Sequence, residues 1–190
     1  SASAAHTNLA NCTTTIPAGY GKNTPVMTNV SQVRISTSTT SLRIKEFGVY
    51  AAHDATGTNL VSGQPPRGIS SGASYASDPL YSTDGNTSTN TDITMPGAST
   101  SNPLSVTWSL SGVEVGSIYF QLTGGDYTSI NYANVRIEVF SASTGTWHTV
   151  YYNSGNTWAP AITSENSTGS IVSVTGPAIA CSSGTYKSAA

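Results

Sequence analysis

Charge is scarce in this 190-residue chain: 7 Lys and Arg and 9 Asp and Glu leave 8% of it charged, against about 25% in ordinary soluble domains. The 7 basic residues (Lys22, Arg34, Arg43, Lys45, Arg67, Arg136, Lys187) form no run, and the net charge is −2. Phosphate neutralisation needs clustered Lys and Arg, so nucleic acid is excluded as the main partner. No apolar stretch approaches the ~20 residues of a membrane helix, which argues against membrane insertion. Histidine (3), cysteine (2) and methionine (2) are rare. No Gly-x-Ser-x-Gly elbow, His-Glu-x-x-His, phosphate-binding Gly-rich loop or metal-spaced Cys pair occurs. His6, His53 and His148 lie far apart, and no carboxylate pair is singled out for glycoside hydrolysis. The chain therefore reads as a non-enzyme.

Helical signals are lacking too. No segment keeps a 3.6-residue apolar period, and strong helix formers are few. In their place are Ser and Thr, roughly 30% together, with 18 Gly and 9 Pro. Short β-rich runs alternate with turn-rich stretches. The runs are Val30–Ser36, Leu42–Ala52, Leu104–Leu110, Ser117–Thr123, Val135–Ser141, Trp147–Tyr152 and Ser170–Thr175. In Val135–Ser141, Val135, Ile137 and Val139 point one way and Arg136, Glu138 and Phe140 the other. Leu42 and Ile44 share a face with Glu46, which places a carboxylate at the end of an apolar row. Seven or eight half-buried strands predict an all-β antiparallel β-sandwich or jelly roll. The tract Thr37–Ser41 reads as a hairpin loop, and 53–103 as a long irregular region. One domain is expected over 26–180, with a linker at 1–25 and a linker or the start of a following module at 181–190.

The compartment reads as extracellular, either secreted or on a cell or virion surface. Low charge and abundant hydroxyls suit it, and Asn-x-Ser/Thr sequons at Asn11, Asn29, Asn86 and Asn166 are candidate glycosylation sites. Beginning at Ser1, the chain is expected to be a mature product or an excised segment. Cys12 and Cys181 either bridge each other, closing nearly the whole domain, or pair outside it.

In Tyr81-Ser82-Thr83-Asp84-Gly85-Asn86-Thr87-Ser88-Thr89, Asp84, Asn86 and Thr89 put oxygens at positions 0, +2 and +5 of a Gly-containing turn. Such a turn wraps a hard cation or is simply solvated. Aromatic candidates for stacking on a sugar are Trp147, Tyr127, Tyr75, Tyr151, Tyr152 and above all Trp158, with His148 beside Trp147 for hydroxyl contacts. Each competes with a packing role. Trp108 lies in an apolar strand and is assigned to the core.

The order of three motifs resembles the opening of a discoidin, or coagulation-factor type C, domain. They are Asn59-Leu60-Val61-Ser62-Gly63-Gln64-Pro65, then Ser70-Ser71-Gly72-Ala73-Ser74-Tyr75, then Thr83-Asp84-Gly85-Asn86-Thr87-Ser88-Thr89. Val106–Leu110, Ser117–Phe120 and Asn134–Phe140 followed by Trp147 continue the likeness, which covers about half the chain. The sugar-binding modules of carbohydrate-binding family 32 share that galactose-binding-domain-like fold. The family's closing strands resemble Val33-Arg34-Ile35 and Leu42–Tyr50, which here come first. The chain is then either a circularly permuted domain or carries the tail of a preceding one; permutation is the reading adopted, since a lone hairpin is rarely stable. The resemblance implies a structural Ca²⁺ held by Glu46, Asp84, the carbonyl of Asn86, Thr89, and carbonyls near Tyr81 and Lys45. It also implies a non-catalytic module that binds a glycan or glycoprotein surface or mediates adhesion. The alternative is a building block of an extracellular fibre, sheath or virion surface that packs against its own copies or neighbouring modules. Finally, Cys181-Ser182-Ser183-Gly184-Thr185-Tyr186 resembles the start of an ephrin-receptor-like cysteine-rich repeat.

Overall fold

The computed structural model describes residues 25–123, 134–153 and 169–176. Among these residues ten strands form two five-stranded antiparallel sheets. In chain order they are β1 (Met27–Thr37), β2 (Ser41–Tyr50), β3 (Gly68–Ile69), β4 (Ser74–Tyr75), β5 (Thr91–Thr94), β6 (Leu104–Val115), β7 (Ser117–Leu122), β8 (Val135–Ser141), β9 (Thr146–Asn153) and β10 (Ser170–Ser173). One sheet runs β3-β6-β1-β8-β9 and the other β10-β7-β2-β5-β4. A short 3₁₀ turn spans Pro79–Ser82, capped by the Asp78 side chain.

The inward residues of both sheets form one core, including Val33, Ile35, Val106 and Ile137 from the first and Leu42, Phe47, Ile118 and Phe120 from the second. At its centre the Trp108 and Phe47 rings stack 4.0 Å apart and nearly parallel, at 4°. Trp108 is 1% exposed, as its place in an apolar strand implied. The alternation expected for β8 holds: Val135, Ile137 and Val139 are buried in the core while Arg136 is exposed.

Two expectations are overturned. The tract Thr37–Ser41 is not a hairpin loop. β1 pairs with β6 and β8, whereas β2 pairs with β5 and β7, so Ser38–Thr40 carries the chain from one sheet to the other. The Thr39 hydroxyl donates to the Ser41 carbonyl at 2.9 Å and steadies this arch. Second, Glu46 does not share the face of Leu42 and Ile44. The register shifts between Ile44 and Glu46, so that Ile44 and Phe47 are both fully buried and Glu46 turns to the outer face. One extra residue in a strand inverts the alternation beyond it.

The stretch 53–103 is more regular than its composition suggested. It contributes β3, β4 and β5, and its loops are tied to the sheets by hydroxyls that donate and accept at once. Ser77 Oγ donates to the Asn90 carbonyl at 2.8 Å and accepts from Asp92 N–H at 2.7 Å. Ser117 Oγ donates to the Ala52 carbonyl at 2.6 Å and accepts from Ala55 N–H at 2.9 Å. Ser70 Oγ does the same between the Pro103 carbonyl and Ser105 N–H, each at 2.8 Å.

β1 and β2 occupy the centres of their sheets. They therefore belong to this sandwich and are not the tail of another domain. Another crossing between sheets, from β6 to β7, turns at Gly116, where a Cβ would collide with the backbone of Ala51 and Ala52. No helix among the described residues is long and apolar enough to cross a membrane.

Candidate functional site

The bulge in β2 aims Glu46 out of the core toward the turn that follows the 3₁₀ segment. Gly85 N–H donates to Glu46 Oε2 at 3.0 Å. Residues 39 apart in the chain thus meet. The turn is built around Asp84, whose Oδ1 accepts from Asn86 N–H at 2.8 Å and whose Oδ2 accepts from the Thr89 hydroxyl at 2.9 Å. The Asn86 carbonyl also accepts from Thr89, through its hydroxyl at 2.8 Å and its N–H at 3.1 Å. Gly85 sits at φ 77°, a left-handed conformation that favours glycine.

Glu46 is only 9% exposed. Burial pushes its carboxyl from 4.5 up to about 7, the Gly85 N–H opposes this, and the charge of Asp84 adds to it. A cation would relieve both the desolvation and the repulsion between the two carboxylates. The gathered donors are all hard oxygens, and their chemistry fits Ca²⁺. Among the described residues no three His, Cys, Asp or Glu side chains cluster, so carbonyls and hydroxyls would have to complete any such shell. Tyr81 is exposed; Lys45 is the extra residue of the bulge, beside Glu46.

Beside Glu46 the outer surface of the β2–β7 pair is hollowed into a shallow cavity of about 410 Å³, lined by Glu46, Tyr50, Asn59 and Tyr119 among others. Gly48 has no side chain to fill it, and the Tyr50 ring folds back over that glycine. Burial and the charge of Glu46 raise the hydroxyl pKa of both Tyr50 and Tyr119.

The other sheet carries a different surface. Trp147 and His148, both candidate ligand contacts, fall on opposite sides of β9. Trp147 pairs with Phe140 on the outer face, while His148 pairs with the core residue Val139. The His148 Nε2 lies 3.0 Å from the Thr144 hydroxyl and 3.2 Å from that of Thr146. That ring is tied into the β8–β9 turn. Trp147 instead meets the edge of Phe140, with ring centroids 5.4 Å apart, and the Arg34 guanidinium lies 4.0 Å over its ring. Arg34 Nε also donates to Glu138 Oε2 at 2.7 Å. One row further along, the Arg136 guanidinium lies 4.9 Å over the Tyr152 ring, whose hydroxyl donates to Asn134 Oδ1.

Arg34, Arg136 and Glu138 were not among the expected site residues. The alternation of β8 did place Arg136, Glu138 and Phe140 on one face; what the sequence lacked was the register that sets Arg34 and Trp147 beside them. Among the sequons, Asn29 is exposed at φ 54° with its Nδ2 donating to Ser143 Oγ, and the Asn86 Oδ1 accepts from Ser88 N–H. Cys12, Cys181, Asn11, Asn166, Tyr127 and Trp158 lie outside the described residues. No family model, curated protein or solved structure matches the chain.

Proposed function

We propose that this domain is a non-catalytic extracellular module for glycan recognition or adhesion, with a discoidin-like topology whose closing strands come first and a calcium ion as structural clamp. The observation that carries the reading is the meeting of Glu46 with the Asp84–Thr89 turn. That pairing is what the resemblance implies, and it joins segments that share no local reason to touch. Central placement of β1 and β2 supports the permuted order. Glu46 and Asp84 would hold the ion by their carboxylates, Asn86 by its carbonyl and Thr89 by its side chain, with carbonyls near Lys45 and Tyr81 completing the shell. When bound, calcium supplies charge compensation and cross-links β2 to the turn; binding to the folded state alone stabilises it by about 2.7 kcal/mol at a hundredfold excess over Kd.

Two measurements test the reading. Calcium should raise the melting temperature and chelation lower it, with Asp84→Ala abolishing the response and magnesium substituting poorly. On a glycan array the full chain should bind reproducibly and be competed by free sugar. A chain that binds no glycan would be the building block of an assembly instead. A chain indifferent to calcium would lose the clamp and, with it, the main support for the discoidin-like reading.

A further inference from the structure

The outer face of the β1–β8–β9 sheet is ordered in three rows by strand register. Gln32, Phe140 and Trp147 form the first, Arg34, Glu138 and Thr149 the second, and Ser36, Arg136 and Tyr152 the third. The outer rows each carry an aromatic ring with a guanidinium against one of its faces, at 4.0 Å for Arg34 on Trp147 and 4.9 Å for Arg136 on Tyr152. Four residues of β8 separate these rows, roughly 13 Å at the rise of a strand. This spacing suits an oligosaccharide better than one sugar ring.

The charge on this face has a definite sign. Glu138 is buried and neutralised by Arg34, which engages it through Nε alone. The terminal nitrogens of that guanidinium make no other hydrogen bond among the described residues. Arg136 is exposed and forms no ion pair there. In a chain of net charge −2, two of the 7 basic residues converge on this patch. Both are held by rings, so little side-chain freedom remains to be lost on binding. A guanidinium presents a planar fork that matches a carboxylate. Thr107 and Thr149 add hydroxyls at the margins of the same face.

We infer that this face binds an acidic oligosaccharide, its sugar carboxylates taken by Arg34 and Arg136 and its apolar ring faces resting against Trp147 and Tyr152. The inference rests on the glycan-binding reading and narrows it to a ligand class and a sheet face, away from the cation turn.

The test is an array of carboxylate-bearing oligosaccharides (uronate oligomers and sialylated glycans), each printed beside its methyl ester, probed with the full chain. Binding should favour the free acid and fall with added salt. Arg136→Gln and Tyr152→Ala alter exposed side chains, so melting temperatures should hold. Each should weaken binding of the best acid about tenfold, as expected for loss of a charged hydrogen bond or a stacking surface. Equal binding of acid and ester overturns the inference, as does wild-type affinity in Arg136→Gln. Capture of neutral glycans only would overturn it while leaving the glycan-binding reading standing. Failure to bind any glycan, acidic or neutral, would remove both.

Discussion

Replacing Glu46 by Gln should change stability with opposite signs in the presence and absence of calcium. The amide keeps the shape of the side chain and an oxygen to accept from Gly85 N–H, and removes only the charge. In the metal-free protein burial and Asp84 hold the Glu46 carboxyl near 7, above its ordinary 4.5. The folded state therefore binds a proton more tightly than the unfolded chain. The stability this gives is fully present below about pH 4.5 and is lost as pH rises through about 7. At about 1.4 kcal/mol per pH unit, the shift amounts to at most about 3 kcal/mol above neutrality. Glu46→Gln never ionises and escapes that loss.

Thermal melts in chelator should therefore show the variant only slightly ahead near pH 5 and well ahead at pH 8. A gain of about 1–3 kcal/mol corresponds to a few degrees for a domain of this size. Saturating calcium should reverse the order at pH 8, because the wild type gains a charged ligand's worth of binding and the variant does not. A variant destabilised equally at pH 5 and pH 8 in chelator would refute the reasoning, since it would mean the Glu46 charge is already well compensated without metal.

Four further substitutions probe how the sandwich is held. Gly116→Ala places a methyl against the backbone of Ala51 and Ala52 at the β6–β7 crossing and should cost at least about 2 kcal/mol in urea unfolding. Ser117→Ala leaves the Ala52 carbonyl and Ala55 N–H without their shared hydroxyl and should cost about 1–3 kcal/mol by the same assay. Arg34→Met strands a buried carboxylate and should destabilise more than Glu138→Gln. The double variant should recover much of the difference in a double-mutant cycle.

All seven expected strands are present, because runs such as Val135–Ser141 alternate over enough residues to declare their faces. β3 and β4, at two residues each, carry no period to read. The sandwich itself was legible; the facing of Glu46 was not, because one bulge residue between Ile44 and Glu46 undoes the count. The meeting of Glu46 with the Asp84 turn came from the order of motifs, not from periodicity. The rows of the β1–β8–β9 face were hidden for a different reason. Arg34 and Glu138 lie 104 residues apart, and only the pairing register brings them together. Register depends on which strands neighbour which, a property of the whole sheet that no local run contains.

The abundance of Ser and Thr follows from the same scarcity of charge. The connecting segments within 53–103 must satisfy their backbone groups somewhere, and a chain with 8% charged residues has few ion pairs for the task. Ser70, Ser77 and Ser117 each satisfy a carbonyl and a nearby N–H of another segment through a single oxygen. A hydroxyl can both donate and accept, which neither a carboxylate nor a guanidinium can do. The few charges are thereby released from general scaffolding. Of those on the sheets, Arg43 pairs with Asp92 at 3.0 Å and Arg34 with Glu138 at 2.7 Å, both across neighbouring strands. Glu46 and Arg136 have no such opposite charge within ion-pair distance among the described residues. Glu46 is a ligand of the proposed cation clamp, and Arg136 joins Arg34 on the face proposed for acidic glycans.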